Sequence, residues 1–267
     1  TNGMKLGEVS MQTFTDEVVC KGFLFAPANG IAKISTPIAG TVQNIRIKIG
    51  DFVRQGQVVC HISGSEFLVL QQQFAEASAS FQKAKVDYER VKALRAEKIG
   101  AEKDLTTLES LHKASFATYS ALKARIQALR INTAQIENGQ MYTSFPVVSP
   151  ISGFITKTDA VIGQYVDMQN ALAEVVNVNS LQLQLSVFEM DVNKLRVGQQ
   201  VRFGVGGNGS NSLKAALTTV GKTINPDTKT VDCIAKIDAS DKSKLIHQSY
   251  VEAKIEVNEL EVRALPR

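Results

Sequence analysis

Between Phe67 and Ile136 the apolar residues recur at alternating steps of three and four. Phe67, Leu70, Phe74, Ala77, Phe81, Ala84, Tyr88 and Val91 form one series. Leu105, Leu108, His112, Ser115, Tyr119, Leu122, Ile126, Leu129, Thr133 and Ile136 form a second. This is the a/d seam of two long helices facing each other. Punctuation agrees: no proline occurs from Ile38 to Phe145, and between Gly64 and Gly139 the one glycine is Gly100. Two breaker-free segments meeting at a glycine predict a helical hairpin over residues 65–142, with arms of roughly 50 Å at 1.5 Å per residue. Ser65 is placed to cap the first arm, Glu66 suits its first turn, and Gly100 is placed to end it in the left-handed conformation. The remaining faces carry charged or small residues such as Lys83, Lys85, Asp87, Glu89 and Arg90, which predicts an arm surrounded by water. His112 reads as a polar break in the seam that helps to set register.

On either side of the hairpin the period changes to two. Ile34–Val42 matches Val147–Ile155, and Ile49–Val53 matches Ile162–Val166, at one constant separation of 113 residues. Pro37 and Pro150, Ile38 and Ile151, Gly40 and Gly153, Gly50 and Gly163, Val53 and Val166, and Ile62 and Val175 coincide without a gap. Each half reads as short strands separated by glycine turns, and neither has enough strands to bury a face alone. The two halves are therefore expected to pack together, bringing the ends of the hairpin to a common base. Further strand patterns follow at Leu181–Val187, Gln200–Val205, Thr230–Ile237 and Tyr250–Val257, separated by turn clusters at Gly206–Asn211 and Asn225–Asp227. A short helix is expected at Glu189–Leu195, with Glu189 and Asp191 capping it and Gly198 turning the chain. With Glu17–Phe25 these strands suggest a small antiparallel barrel.

The chain has 267 residues, 44% hydrophobic and 21% charged, which is ordinary globular usage and excludes a fibre or wholesale disorder. Thirty basic and 26 acidic residues give +4 without any basic block, so nucleic acid is not expected as a partner. No apolar run is long enough to span a bilayer as a helix. Cys20, Cys60 and Cys233 allow at most one internal disulfide. The first residues show no secretory leader, so the protein is expected to be either cytoplasmic or cleaved before Thr1.

The half-motifs Pro37-Ile-Ala-Gly40 and Pro150-Ile-Ser-Gly153, each followed ten residues later by a glycine and then a valine, resemble the two halves of a lipoyl or biotinyl domain. Split around a coiled-coil hairpin and followed by a β-barrel, they resemble the periplasmic adaptors, or membrane fusion proteins, of Gram-negative resistance-nodulation-division efflux systems. The resemblance covers about residues 17–257. It implies an α+β, multidomain, elongated fold: a split lipoyl/biotinyl-like β domain (31–64 and 143–180), interrupted by the coiled-coil α-hairpin (65–142), plus a small antiparallel β-barrel (17–30 and 181–257). Residues 1–16 and 258–267 are then expected to be fragments of a membrane-proximal region. The implied function is to bridge an inner-membrane transporter and an outer-membrane channel in a tripartite pump, with drugs or heavy-metal cations exported. The implied location is the periplasm, at the inner membrane, through an N-terminal anchor lying before this numbering, with copies assembling into a ring. Family members that dock tip to tip with a channel carry Arg-x3-Leu-x6-Ser around the hairpin turn. Arg90, Leu94 and Ala101 fall at those spacings, with alanine in the serine's place, and are the expected channel contacts. Alternatives are an adaptor of an ABC exporter or type I secretion system, or a coiled-coil scaffold without a transport role.

Carrier chemistry would need one modified lysine on a tight turn between the halves, and about 80 residues stand in place of that turn. His61, His112 and His247 are scattered, and Cys60 and His61, adjacent in a strand, should point to opposite faces. No phosphate loop, catalytic triad or carboxylate pair is legible. The expectation is a protein with no cofactor, no metal site and no enzymatic activity.

Overall fold

The computed structural model describes residues 10–99, 101–205, 213–238, 242 and 245–264. Gly100 and the turn cluster Gly206–Asn211 lie outside the described residues. The strands are β1 (Ser10–Phe25), β2 (Ile31–Ser35), β3 (Gly40–Ile45), β4 (Phe52–Val53), β5 (Val58–Ser63), β6 (Phe145–Val148), β7 (Gly153–Thr158), β8 (Tyr165–Val166), β9 (Ala171–Val176), β10 (Gln182–Phe188), β11 (Gln200–Val205), β12 (Leu213–Asn225), β13 (Thr230–Ile237) and β14 (Tyr250–Ala264). The helices are α1 (Ser65–Ala96), α2 (Glu102–Ala128), α3 (Thr133–Glu137) and α4 (Glu189–Val192). The chain divides into two units, Ala32–Val175 and the remainder.

In the first unit, one sheet runs β2-β9-β7-β4 and the other β6-β5-β3-β8. Moving each strand along the 113-residue repeat converts either order into the other, so the unit has a pseudo-two-fold axis. Every sheet contains strands of both halves, and neither half closes a sheet alone. The halves also clasp each other reciprocally. Val42 donates its N–H to the Gln164 carbonyl at 3.0 Å and accepts from the Gly163 N–H at 2.8 Å, while Ile155 makes the equivalent pair with Asp51 and Gly50, both at 2.9 Å. Gly50 and Gly163 have φ of 90° and 84°, a region that costs any residue with a Cβ. The same symmetry extends to side chains: the hydroxyl of Thr36 donates to the Ile38 carbonyl, as that of Ser149 does to Ile151. Ile34, Val42, Val53 and Ile62 from one half, and Val147, Ile155, Val166 and Val175 from the other, fill one core.

The hairpin grows out of this core. Phe67 in the first turn of α1 packs edge-on against Phe145 of β6, with ring centroids 5.0 Å apart. Ile126 and Leu129 at the far end of α2 and Ile136 of α3 join the same cluster. Two local expectations are corrected. The residue before α1 is Gly64, without a side-chain cap, and Ser65 is already helical. The second arm does not run unbroken to Ile136: Arg130 adopts φ 58° after α2, and Asn132 starts α3 by accepting the Ala134 N–H. Ile131 and Thr133 are buried beside Ile136 by this break, which turns the chain onto the sandwich.

In the second unit, β1-β10-β13-β12-β11-β14 closes into a barrel around Leu183, Leu185, Val201, Phe203, Ala235 and Ile255. The strand β12 is additional to the sequence reading. Its run of Leu213-Lys-Ala-Ala has weak strand propensity, and pairing with β11 and β13 overrides it. The helix α4 is shorter than expected, follows Phe188 without a side-chain cap, and uses Asp191 to pair with Lys194 at 2.8 Å; neither acid caps it. The β1–β14 ladder runs from Phe23↔Tyr250 to Ser10↔Ala264, with a bulge between Asp16 and Glu17. At that bulge Glu17 accepts from Lys254 at 2.8 Å and from Arg202 at 3.2 Å, and Arg202 reaches Glu256 at 2.7 Å. Hydrogen bonding from Lys254 and the nearby charges hold the Glu17 carboxyl below its usual range.

Candidate functional site

The site suggested by the sequence is the turn of the hairpin, and its geometry follows from how the seam dissolves along the arms. Near the base, Phe67, Leu70 and Phe74 are fully buried. Farther out the seam is carried by rings. Tyr88 stacks on His112 (5.3 Å, 14°), His112 meets Phe81 (5.5 Å), Phe81 stacks on Tyr119 (5.1 Å, 14°) and Tyr119 stacks on Phe74 (5.7 Å, 21°). His112 is thus a member of an aromatic ladder rather than an isolated polar break. Aromatic contacts suit a two-helix arm, because large rings bury area across a seam that no third helix covers. Lys123 hydrogen-bonds the Tyr119 hydroxyl at 2.8 Å, and that hydroxyl donates to Glu137 at 2.8 Å.

Beyond Val91 the α1 residues are exposed. Arg90 pairs with Asp87 at 2.6 Å on the outer surface. Leu94 lies one turn on from Arg90 and is 41% exposed, while Ala101, also exposed, is the residue preceding α2. Two of the three expected contact residues therefore share one stripe of α1, and the third opens the second arm. Gly100 is not the residue that ends α1: Lys98 takes the left-handed conformation at φ 64°. The Lys98 N–H bonds the Arg95 carbonyl at 2.9 Å and the Ile99 N–H bonds Leu94 at 3.0 Å, a Schellman closure. Arg95 pairs with Glu102 at 3.6 Å across the turn. The tip exposes apolar Leu94 and Ile99.

At the base, sequence reasoning missed Gln71. This residue has no exposed surface, donates to the Tyr142 carbonyl at 2.9 Å and accepts the Tyr142 N–H at 2.8 Å. It holds the returning chain against α1 as a neighbouring strand would. The signal was its spacing, four residues after Phe67 and three before Phe74, which places a polar residue on the buried face.

The cysteines are free and buried. Burial pushes the Cys20 thiol up to about 12, with Cys233 nearby adding to the effect, and Cys60 to about 11. His61 is half-buried and hydrogen-bonds Asn44 through Nδ1 at 3.1 Å; burial, and then the charge of Arg46, lower its basicity. His247 accepts the Ala26 N–H at 3.2 Å. Among the described residues no three His, Cys, Asp or Glu side chains gather as they would to hold a metal ion, and no helix is long and apolar enough to cross a membrane.

Residues 30–177 match the family model described as CzcB-like, barrel-sandwich hybrid domain. The nickel and cobalt resistance protein CnrB of Cupriavidus metallidurans is 24% identical over 249 residues, covering 93% of this chain and 60% of that protein. The cobalt-zinc-cadmium resistance protein CzcB of the same organism is 23% identical over 202 residues, covering 74% of this chain and 37% of that protein. The chain thus spans less than two thirds of either relative. Among solved structures, a MacA–MexA chimera containing the Pseudomonas aeruginosa MexA α-hairpin domain superposes with a TM-score of 0.75 at 16% identity, covering 97% of this chain and 87% of that one. That likeness is one of fold.

Proposed function

This chain belongs to the CzcB-like barrel-sandwich hybrid family, and on that premise we propose that it is the periplasmic adaptor of a tripartite export pump, joining an inner-membrane transporter to an outer-membrane channel. The observation that carries the reading is the hairpin itself: a rod whose base is locked into a sandwich built from both halves of the repeat and whose tip presents Leu94 and Ile99 to solvent. An adaptor needs that combination, since its work is to hold two partners at a set distance, and it performs no chemistry. In this reading the sandwich is the lipoyl-like scaffold, with the hairpin in place of the tight turn that would present a modified lysine. Arg90, Leu94 and Ala101 contact the channel. The barrel, with the ribbon formed by residues 10–16 and 258–264, faces the transporter and the membrane-proximal region. The relatives named for nickel, cobalt, zinc and cadmium resistance favour divalent heavy-metal cations as the exported substrate. An N-terminal anchor before Thr1 would hold the protein at the inner membrane.

A cysteine placed at Leu94 tests the reading, because the native thiols are buried and unreactive. Crosslinking in cells should trap an outer-membrane channel. Recovery of cytosolic proteins alone would refute it. Which inner-membrane protein co-purifies separates a resistance-nodulation-division transporter from an ABC exporter, and loss of growth on nickel, cobalt, zinc or cadmium after deletion of the gene tests the substrate.

A further inference from the structure

The barrel has a hollow at its rim, between two pieces of chain held apart. One piece is the segment from Glu189 to Gly198, which contains α4 and joins β10 to β11. It is fastened at both ends: Glu189 donates its N–H to the Lys229 carbonyl at 3.1 Å, and Gly198 donates to that of Leu217 at 2.8 Å. Leu195, between these ties, is buried in the barrel core. The other piece is the bulge of β12, where four steps from Val220 to Ile224 match two steps of β13 from Cys233 to Val231. A bulge bends the strand that carries it. Here a Cβ on Gly221 would stand 2.4 Å from the Asp232 carbonyl oxygen, so the two backbones approach as closely as a glycine allows. The hollow between segment and bulge measures about 700 Å³, a size usual for ligand pockets and in a part of a barrel where they recur. Buried Leu195 and Val231 line it, and Val197 and Ile224 line it as exposed side chains. A smaller hollow of about 480 Å³ adjoins it at Glu189 and Asn193 and adds exposed Phe188 and Met190.

The charges around these apolar walls are unequal. Arg196 and Lys222 line the larger hollow and Lys229 the smaller, against the single carboxylate of Glu189. Asp191 does not alter the balance, because it pairs with Lys194 at 2.8 Å. Arg196 is also held in place: its Nη1 donates to the carbonyls of Asn193 at 2.9 Å and Leu195 at 2.7 Å. That leaves the edge formed by Nε and Nη2, two parallel donors with the spacing of a carboxylate. An apolar cation would meet three charges of its own sign. The two hollows meet at an angle around Asn193, and a flexible chain follows such a bend where a fused ring system does not. We propose that this rim binds a single-chain anionic amphiphile, an alkyl carboxylate of the fatty-acid class. Its carboxylate lies at Arg196 and Lys222, and its chain lies against Val197, Val220 and Ile224. This site is independent of the adaptor reading, since it belongs to the barrel alone and needs neither a transporter nor a channel.

Titration calorimetry of the purified chain with decanoate, kept below its micelle concentration, tests the assignment. Binding should saturate at one equivalent. From octanoate to decanoate to dodecanoate it should tighten by up to about fourfold for each methylene added. Decanol and decyltrimethylammonium share the chain but not the anion, and should bind at least about tenfold more weakly than decanoate. Two substitutions at exposed positions separate head from tail: Lys222→Glu opposes the carboxylate, and Ile224→Asp places a charge against the chain. Each should weaken decanoate at least about tenfold, while an unchanged circular dichroism spectrum shows that the barrel is folded. Absence of binding would overturn the proposal, as would decanol binding as well as decanoate, or decanoate binding that neither substitution weakens. Binding to phosphatidylglycerol vesicles but not to free decanoate would assign the rim to a membrane surface and overturn it equally. Crosslinking through Leu94 has no part in these measurements, so this site and the adaptor reading fail separately.

Discussion

Replacing Gln71 with leucine should loosen the base of the hairpin while leaving the seam's apolar pattern intact. The Gln71 amide satisfies both main-chain groups of Tyr142, at 2.9 and 2.8 Å, from a position without solvent exposure. Leucine fits the volume but leaves that N–H and C=O unpaired, at about 1–3 kcal/mol each. Tyr142 is half-buried, so water recovers part of the loss, and the leucine gains roughly 1 kcal/mol of apolar burial. The net expectation is a destabilisation of about 2 kcal/mol. Urea unfolding followed by circular dichroism at 222 nm reads the right unit, because the long helices α1 and α2 both belong to it. Gln71→Glu sharpens the test. At neutral pH its carboxylate can accept the Tyr142 N–H but opposes the carbonyl, so it should be less stable than the leucine variant. Burial raises its folded-state pKa, so stability returns as pH falls and the protonated acid regains a donor. A leucine variant within about 0.5 kcal/mol of wild type, or a glutamate variant as stable as wild type at neutral pH, would refute this account of the base.

Other outcomes follow from the same contacts. Phe81→Ala removes the ring that touches His112, Phe116 and Tyr119; it should cost about 2–3 kcal/mol, and hydrogen exchange should show the amides of Tyr88–Leu94 losing protection while those near Phe67 keep it. Lys98→Gly relieves a left-handed lysine at the tip and should stabilise the hairpin by up to about 1 kcal/mol, with a rise in melting temperature as readout. Cys20 and Cys60 have thiol pKa values raised to about 12 and about 11, above the ordinary 9.0. The folded state therefore holds these protons more tightly than the unfolded chain. Their contribution to stability is complete below about pH 9 and is lost as pH rises through 11 and 12. Native protein at pH 8 should resist iodoacetamide, and urea-unfolded protein should react at all three cysteines; rapid labelling of the native protein would contradict the burial.

The amino-acid sequence by itself determined the features carried by short-range periodicity. The three-and-four spacing from Phe67 to Leu129 specifies two facing helices because neighbours along a helix repeat every 3.6 residues. The matched Pro37 and Pro150 motifs specify equivalent strands and turns because the same local residues meet the same backbone demands. What depended on groups far apart in the chain was decided only in three dimensions. Gln71 meets Tyr142 across 71 residues, and the pairing of β12 with β11 and β13 overrides its own composition. Interleaving of the two halves turns Ile49 and Ile162 outward at the two ends of one sandwich. The hairpin's closure also shows the division: glycine was the local choice for a left-handed residue, yet Lys98 occupies it, because the cost of one strained residue is small beside the packing of two helices that the turn must join.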